Sequence, residues 1–303
     1  MRTTSGHFDL WVTFMGNTLK DIPEPISIDE QIENLISLNL IVEDVEFVRD
    51  FLSNVSYFRF IKAYSLGLKQ KNGCYYKDVS FKKLAVIYEF NNRLRQIIFP
   101  LIEKVEITLR CKMTNYLCQK YNNLMYLNKD NFANLEFHER FIRDFDDCII
   151  RNQKRPFIKN FKLNYKDGSI PLYAAVEIFS FGMLSRFYSN LIPDDKKAIA
   201  KEFNVGYTYF DSWIESISFV RNICAHYGRI YNVKLSKQPK VYTQYSGVDN
   251  YRIFAVILAI KHIIQDKSLW LAFKTDLFAL IDTYGKDINL AFIGFTEDWN
   301  DYL

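Results

Sequence analysis

Within Asp211–Asn232, the stretch DSWIESISFVRNICAHYGRIYN, four residues carry groups suited to phosphodiester chemistry: Arg221, Asn222, His226 and Arg229. An imidazole supplies a proton acceptor or donor, and guanidinium groups stabilise the charge of a pentacoordinate phosphorane. Trp213, Ile217, Val220 and Cys224 recur every three or four residues, which predicts a helix with one buried stripe. Asp211 is placed to cap that helix, with Glu215 in its first or second turn. At about 100° per residue, Asn222, His226 and Arg229 fall on one face. Arg221 lies about 100° away and reaches that face only through its long side chain. The same residues fit a packed or surface histidine beside arginines that link neighbouring helices. Residue types alone leave both readings open.

The elements that must position this stretch also read as helices. Ser27, with Glu30 three residues later, makes a capping box for a short helix with Ile28, Ile32, Leu35 and Ile36 on its apolar side, ended by Asn39. Glu43–Asn54 is a second short helix, and Tyr57–Leu68 either a third or an aromatic-rich extended piece. Ser80 opens the longest helical pattern, which runs to about Tyr121 and carries Arg93, Arg95, Glu103, Lys104, Glu106 and Arg110. Pro100 lacks an amide donor and predicts a kink or break near Gln96–Phe99. Asn131–Asn152 is the next helix, with Phe132, Leu135, Phe141 and Phe145 inward. Pro171 starts a helix through Leu191, and Lys196–Phe203 is a short one before the motif. Asp249–Gln265 and Ser268–Tyr284 suggest an αα-hairpin ended by Gly285, followed by an aromatic tail that docks or frays. Strand signals are scarce. The fold class expected is all-α, a helical bundle with an N-terminal helical subdomain over 1–75, a helical domain over 76–285 and a tail over 286–303.

At 303 residues the chain can bury a sizeable core. Its net charge of +4 permits nucleic-acid binding without demanding it, so a localised basic face matters more than the total. Arg151–Lys162 holds five basic residues and no acid. It reads as a solvated loop or, if the motif cuts RNA, as a phosphate-contacting edge through Arg151, Lys154, Arg155 and Lys159. Five cysteines and four histidines are scattered without a CxxC pair, which suggests neither a zinc site nor a disulfide framework. There is no P-loop, GxSxG or carboxylate-metal motif. Neither a signal peptide nor an apolar run long enough for a bilayer is legible, so a cytoplasmic protein without membrane attachment is expected.

The string Arg221-Asn222-x-Cys224-Ala225-His226-x-x-Arg229-x-x-Asn232 resembles the RNxxxH motif of the HEPN superfamily. More narrowly it resembles the RNxCAHxxRxxN form of Abi-like proteins, bacterial abortive-infection (anti-phage) proteins of the AbiD/AbiF group. The likeness extends over roughly residues 25–270. Phe81–Arg110 is similar to the pattern FxxLxxLYxFDxxLRxxxxxxxExxExxLR, with Asn91 where an aspartate is common. Tyr173–Tyr188 is similar to WxxxExxSFGxLSxxY, which implies that Glu177 is a structural partner near the site and that Gly182 permits close helix approach.

The HEPN-like resemblance implies a metal-independent endoribonuclease of an anti-phage or toxin system, with neither metal nor cofactor. His226 would be the acid/base, Arg221 the transition-state stabiliser, and Asn222 an orienting or phosphate-bonding group. Arg229 and Asn232 would hold the substrate backbone. The nucleophile would be the 2′-hydroxyl beside the scissile phosphate, leaving 2′,3′-cyclic phosphate and 5′-hydroxyl ends. HEPN ribonucleases face two motifs across a shared cleft, and this chain has one copy, so a symmetric homodimer is the economical assembly. RNA is the expected partner, as substrate and as a small structured regulatory RNA. The rival readings are a non-catalytic HEPN-like RNA-binding protein partnered by such an RNA, and a DNA-binding regulator using the N-terminal helices.

Overall fold

Ser27 Oγ accepts the amide of Glu30 at 3.2 Å and the Glu30 carboxylate accepts that of Ser27 at 2.7 Å, closing the capping box that opens α1 (Ile28–Ser37). The computed structural model describes residue 22 and residues 24–303. Expectations that rest on residues 1–21 and 23, the leader reading and the start of the N-terminal subdomain among them, lie outside the described residues. Asn39 turns the chain in the left-handed region at φ 65°. Asp44 then caps α2 (Val45–Asn54), and Ser56 caps α3 (Tyr57–Tyr64), so the segment left open as helix or extended is helical to Tyr64. Phe51 and Phe60 pack ring to ring at 4.6 Å and meet Phe81 at 5.4 and 5.2 Å, which docks these short helices on the element that follows.

That element is α4 (Phe81–Lys120), 40 residues capped by Ser80. Of the kink or break expected near Gln96–Phe99, the break does not occur: the helix continues unbroken through Pro100. Proline inside a helix costs about 3 kcal/mol. Ile98, Leu101 and Ile102 around it are fully buried, each worth about 1.5–3 kcal/mol, and their packing outweighs the missing bond.

Asn134 caps α5 (Leu135–Asn152), whose Phe141 and Phe145 point inward while Leu135, expected inside, is half exposed. The basic stretch is not a loop. Pro156 takes the first position of α6 (Pro156–Asn164), and buried Ile158 and Phe161 anchor it. The helix expected from Pro171 through Leu191 is also divided, into α7 (Leu172–Ala175) and α8 (Phe181–Ser189). A 3-10 turn over Val176–Ile178 and an extended Phe179 separate them, and the helical stretch Lys166–Ile178 meets Phe181–Ser189 at a bend of 112°. Ser180 restarts the helix by accepting the Met183 amide at 3.1 Å. Gly182 is not a point of close approach, since a Cβ there would meet nothing nearer than 3.7 Å.

After α9 (Pro193–Lys201), Asn204 turns at φ 59° into α10 (Tyr207–Ala225). Its N-cap is Gly206 and not Asp211, which lies a turn inside and pairs with Lys196 at 3.0 Å. The stripe of Trp213, Ile217, Val220 and Cys224 is buried as expected, and α10 lies against α4, α8 and α9. α11 (Ile253–Ile263) packs on α10 and α4, whereas α12 (Lys267–Tyr284) lies along α4, so these two are partners of α4 more than of each other. The tail docks, with Phe295 against Phe254 at 4.5 Å. Among the described residues the fold is all-α, with isolated bridges and no sheet, and no single helix is long and apolar enough to cross a membrane.

Ile217 is fully buried at the centre of α10. Ile217→Ala is expected to lower unfolding free energy by about 2–5 kcal/mol in denaturant melts. A loss under about 0.5 kcal/mol would place this face on the surface.

Candidate functional site

The motif straddles the end of a helix. α10 stops at Ala225, His226 is its C-cap, and Tyr227 adopts the left-handed conformation at φ 57°. The Gly228 amide reaches back to Ile223 O at 2.7 Å and the Tyr227 amide to Cys224 O at 3.2 Å, the paired bonds of a Schellman motif. Gly228 is required there, because a Cβ would lie 2.7 Å from the Ile223 side chain and 3.0 Å from its carbonyl oxygen. The wheel that put Arg229 on the same helical face as Asn222 and His226 therefore fails: Arg229 lies beyond the reversal.

Two arginines close the open carbonyl end of α10. Arg59 on α3 donates to the carbonyls of Tyr227 and, at 3.3 Å, of His226, and Arg95 on α4 donates to Cys224 O at 3.4 Å. Cations at this end are favoured by the helix dipole. Both guanidinium groups also flank the Tyr227 ring, at 5.9 and 5.8 Å from its centroid. The left-handed backbone costs a non-glycine residue about 1–2 kcal/mol, yet Tyr227 occupies it while 70% exposed.

Arg221 points to a different partner. Its Nε lies 3.5 Å from Glu106 Oε2, and Nη1 lies 3.5 Å from the Asn222 carboxamide oxygen. Glu106 simultaneously pairs with Arg110, one helical turn along α4, and both of those side chains are largely buried. Arg110 donates onward to Val176 O and, at 2.7 Å, to Phe179 O. These are carbonyls at the break between α7 and α8. Glu106, and not Glu177, is thus the carboxylate beside the motif. Glu177 is exposed and makes no side-chain hydrogen bond or ion pair among the described residues, although Val176 next to it is bonded into this chain of contacts.

His226 and Asn222 are exposed. No hydrogen bond to the His226 imidazole forms within the described residues, in contrast to His138, 2.8 Å from Tyr126 O, and His262, 3.0 Å from Tyr245 Oη. Cys224 is no nucleophile: burial pushes its thiol up to about 12, so it stays protonated at neutral pH. No three His, Cys, Asp or Glu side chains gather into a metal-holding group among the described residues.

The segment after the reversal is held by α4. Asn91, fully buried, accepts the amides of Ile230 and Tyr231 on Oδ1 at 2.8 and 3.1 Å. Asn232, expected with Arg229 to hold substrate, lines the same cavity as Arg229; its carboxamide oxygen accepts from Arg252 at 3.3 Å, and its backbone amide donates to Phe292 O in the tail. Arg229 lines a separate cavity of about 270 Å³ with Tyr64, Lys83 and Lys286, and burial holds its guanidinium below its ordinary range. Arg151, Lys154, Arg155 and Lys159 are exposed around the start of α6, and none of them bonds to a motif residue.

A cleft of about 910 Å³ adjoins the motif, between the end of α2, the middle of α4 and residues Cys224, Ala225 and Tyr227. Arg59, Arg93 and Arg95 line it together with Glu89. A cavity of about 540 Å³ lined by Phe137, Arg140, Phe141, Asp144, Arg186 and Asp211 contains no residue of the Arg221–Asn232 motif.

Glu106 answers for two arginines, so its removal should be felt in stability. Glu106→Ala is expected to destabilise the fold by about 3 kcal/mol, because Arg110 would stay buried without a counter-charge. Arg221→Ala, at a partly exposed position, should stay within about 0.5 kcal/mol of wild type. Paired denaturant melts distinguish the two, and equal losses would contradict this hierarchy.

Comparison with known proteins places these contacts in a family. No curated protein and no solved structure matches the chain. A family model described as Abi-like protein matches residues 50–232, from α2 through α4 and the helix break to the last residue of the motif. That span covers more than half of the sequence, and the chain belongs to the Abi-like family of abortive-infection proteins.

Proposed function

We propose that this protein is a metal-independent endoribonuclease of the HEPN superfamily, acting in abortive infection by RNA cleavage through the 2′-hydroxyl. The substrate supplies the nucleophile, so the protein has to provide proton transfer and charge stabilisation. His226 is the acid/base and Arg221 the stabiliser of the phosphorane, with Asn222 between them in sequence to bond the phosphate or the imidazole.

The observation that carries this reading is the contrast between the surroundings of Arg221 and those of His226. Arg221 is steadied by Glu106 at 3.5 Å, while His226 is exposed at the end of the same helix with its ring unengaged within the described residues. A steadied cation and an accessible imidazole on the same helix end suit a site that completes itself on substrate or on a second chain. A symmetric homodimer would bring two such pairs to one cleft, and the cationic groups brought together would make that cleft seek anions.

The test is RNA cleavage by purified full-length protein, with circular dichroism alongside. Arg221→Ala and His226→Ala are each expected to reduce cleavage by roughly 10²–10⁴-fold, the usual range for a lost acid/base or charge stabiliser, with unchanged spectra. A folded His226→Ala protein that cuts at the wild-type rate would contradict the mechanism. If it binds a small structured RNA while neither it nor wild type cuts, the non-catalytic reading holds instead. Activity is also expected to survive excess EDTA. Loss in EDTA with rescue by magnesium would assign the chemistry to another site.

A further inference from the structure

Tyr227 is hard to account for by folding alone. Its backbone is left-handed, a conformation glycine or asparagine adopts with less strain, and the residue is 70% exposed on the wall of the 910 Å³ cleft. The guanidinium carbons of Arg59 and Arg95 stand at 5.9 and 5.8 Å from the centroid, close to the limit of cation–π contact, and they leave most of the ring open. Arg95 Nε is buried without a hydrogen-bond partner although its other nitrogens bond Asn92 and Cys224 O. Arg93, on the same wall, is exposed and tied only to Glu89 at 2.8 Å. A strained and exposed aromatic and a loosely held arginine therefore converge on one cleft, against the end of α10 where Cys224, Ala225 and Tyr227 line it and His226 does not. Strain kept at such a place points to a ligand.

We propose that this cleft holds a single strand of RNA, with one nucleobase stacked on Tyr227 and the adjoining phosphate beside Arg93 and Arg95. The choice of RNA rests on the ribonuclease reading, whereas the stacking platform rests on the cleft itself. Unpaired bases expose a π-face that a tyrosine can cover, and base–aromatic stacking tolerates any sequence. Bases in a duplex are already stacked on one another, so the site selects single strands. Arg59, committed to the end of α10, holds the platform and the N-terminal helices together.

The experiment uses full-length protein carrying His226→Ala, so that bound RNA is not consumed, and a fluorescein-labelled single-stranded RNA of mixed sequence read by fluorescence anisotropy. Adding Tyr227→Asn is expected to weaken binding at least tenfold while the melting temperature stays the same or rises, because asparagine relieves the left-handed strain. Tyr227→Phe should bind within twofold of the parent. Arg93→Ala should weaken binding and flatten its dependence on salt. The same RNA as a duplex should bind at least tenfold more weakly. Unchanged binding by Tyr227→Asn, a marked fall in its melting temperature, or equal binding of duplex would each overturn the proposal. Cleavage by the chain with native His226, measured in parallel, separates the two readings. Cleavage with unchanged Tyr227→Asn binding sinks only the stacking site, and Tyr227-dependent binding without any cleavage sinks only the nuclease.

Discussion

A carboxylate largely withdrawn from water has to be balanced, and the balancing of Glu106 organises much of this molecule. Arg110 neutralises it from one turn away on α4, and it also donates to the carbonyls of Val176 and Phe179 at the α7–α8 break. With that pair in place the second carboxylate oxygen of Glu106 faces Arg221 on α10. The orientation of a motif arginine is thereby coupled to a bend in a different part of the chain. Neither side chain needs a bond to substrate for the arrangement to persist, which is what preorganised charge stabilisation requires.

The second constraint is the way α10 ends. A helix that stops inside a protein must satisfy its last carbonyls. Here the reversal through Tyr227 and Gly228 takes the carbonyls of Ile223 and Cys224, Arg95 adds a second donor to that of Cys224, and Arg59 takes those of His226 and Tyr227. The arginines that solve this problem come from α3 and α4, so the N-terminal helices are fastened to the motif and a basic cleft opens between them. Asn91 secures the chain on the far side of the reversal. One long helix thus contributes Asn91, Arg95, Glu106 and Arg110 at successive points.

What was legible in the sequence was local. The capping box at Ser27, the cap at Ser80 and the buried stripe of α10 follow from side chains and amides a few positions apart, and they stand in the structure. The misplaced features had competing local signals. Pro156 is as good a helix opener as Pro171, but the density of charge around it favoured a loop. Ser180 is an N-cap inside an apolar run that otherwise keeps helical period, so the run read as continuous. Gly228 marked the end of α10, yet the following Arg229 prolonged the apparent face. Glu106 could not be matched to Arg221 because periodicity carries no information about which helices meet. Its place in a family pattern gave the position without the partner.

The proposed chemistry is that His226 and Arg221 act on a phosphate attacked by the RNA's own 2′-hydroxyl. The most direct measurement is cleavage of an RNA oligonucleotide carrying a single 2′-deoxy nucleotide at the mapped scissile position, with the ends of the uncut and cut strands analysed by mass spectrometry. The account predicts that cleavage stops at that position alone, and that fragments from the unmodified RNA end in 2′,3′-cyclic phosphate and 5′-hydroxyl groups. Cutting at the deoxy position, or fragments ending in 3′-hydroxyl and 5′-phosphate, would mean that water attacks the phosphate and would contradict it.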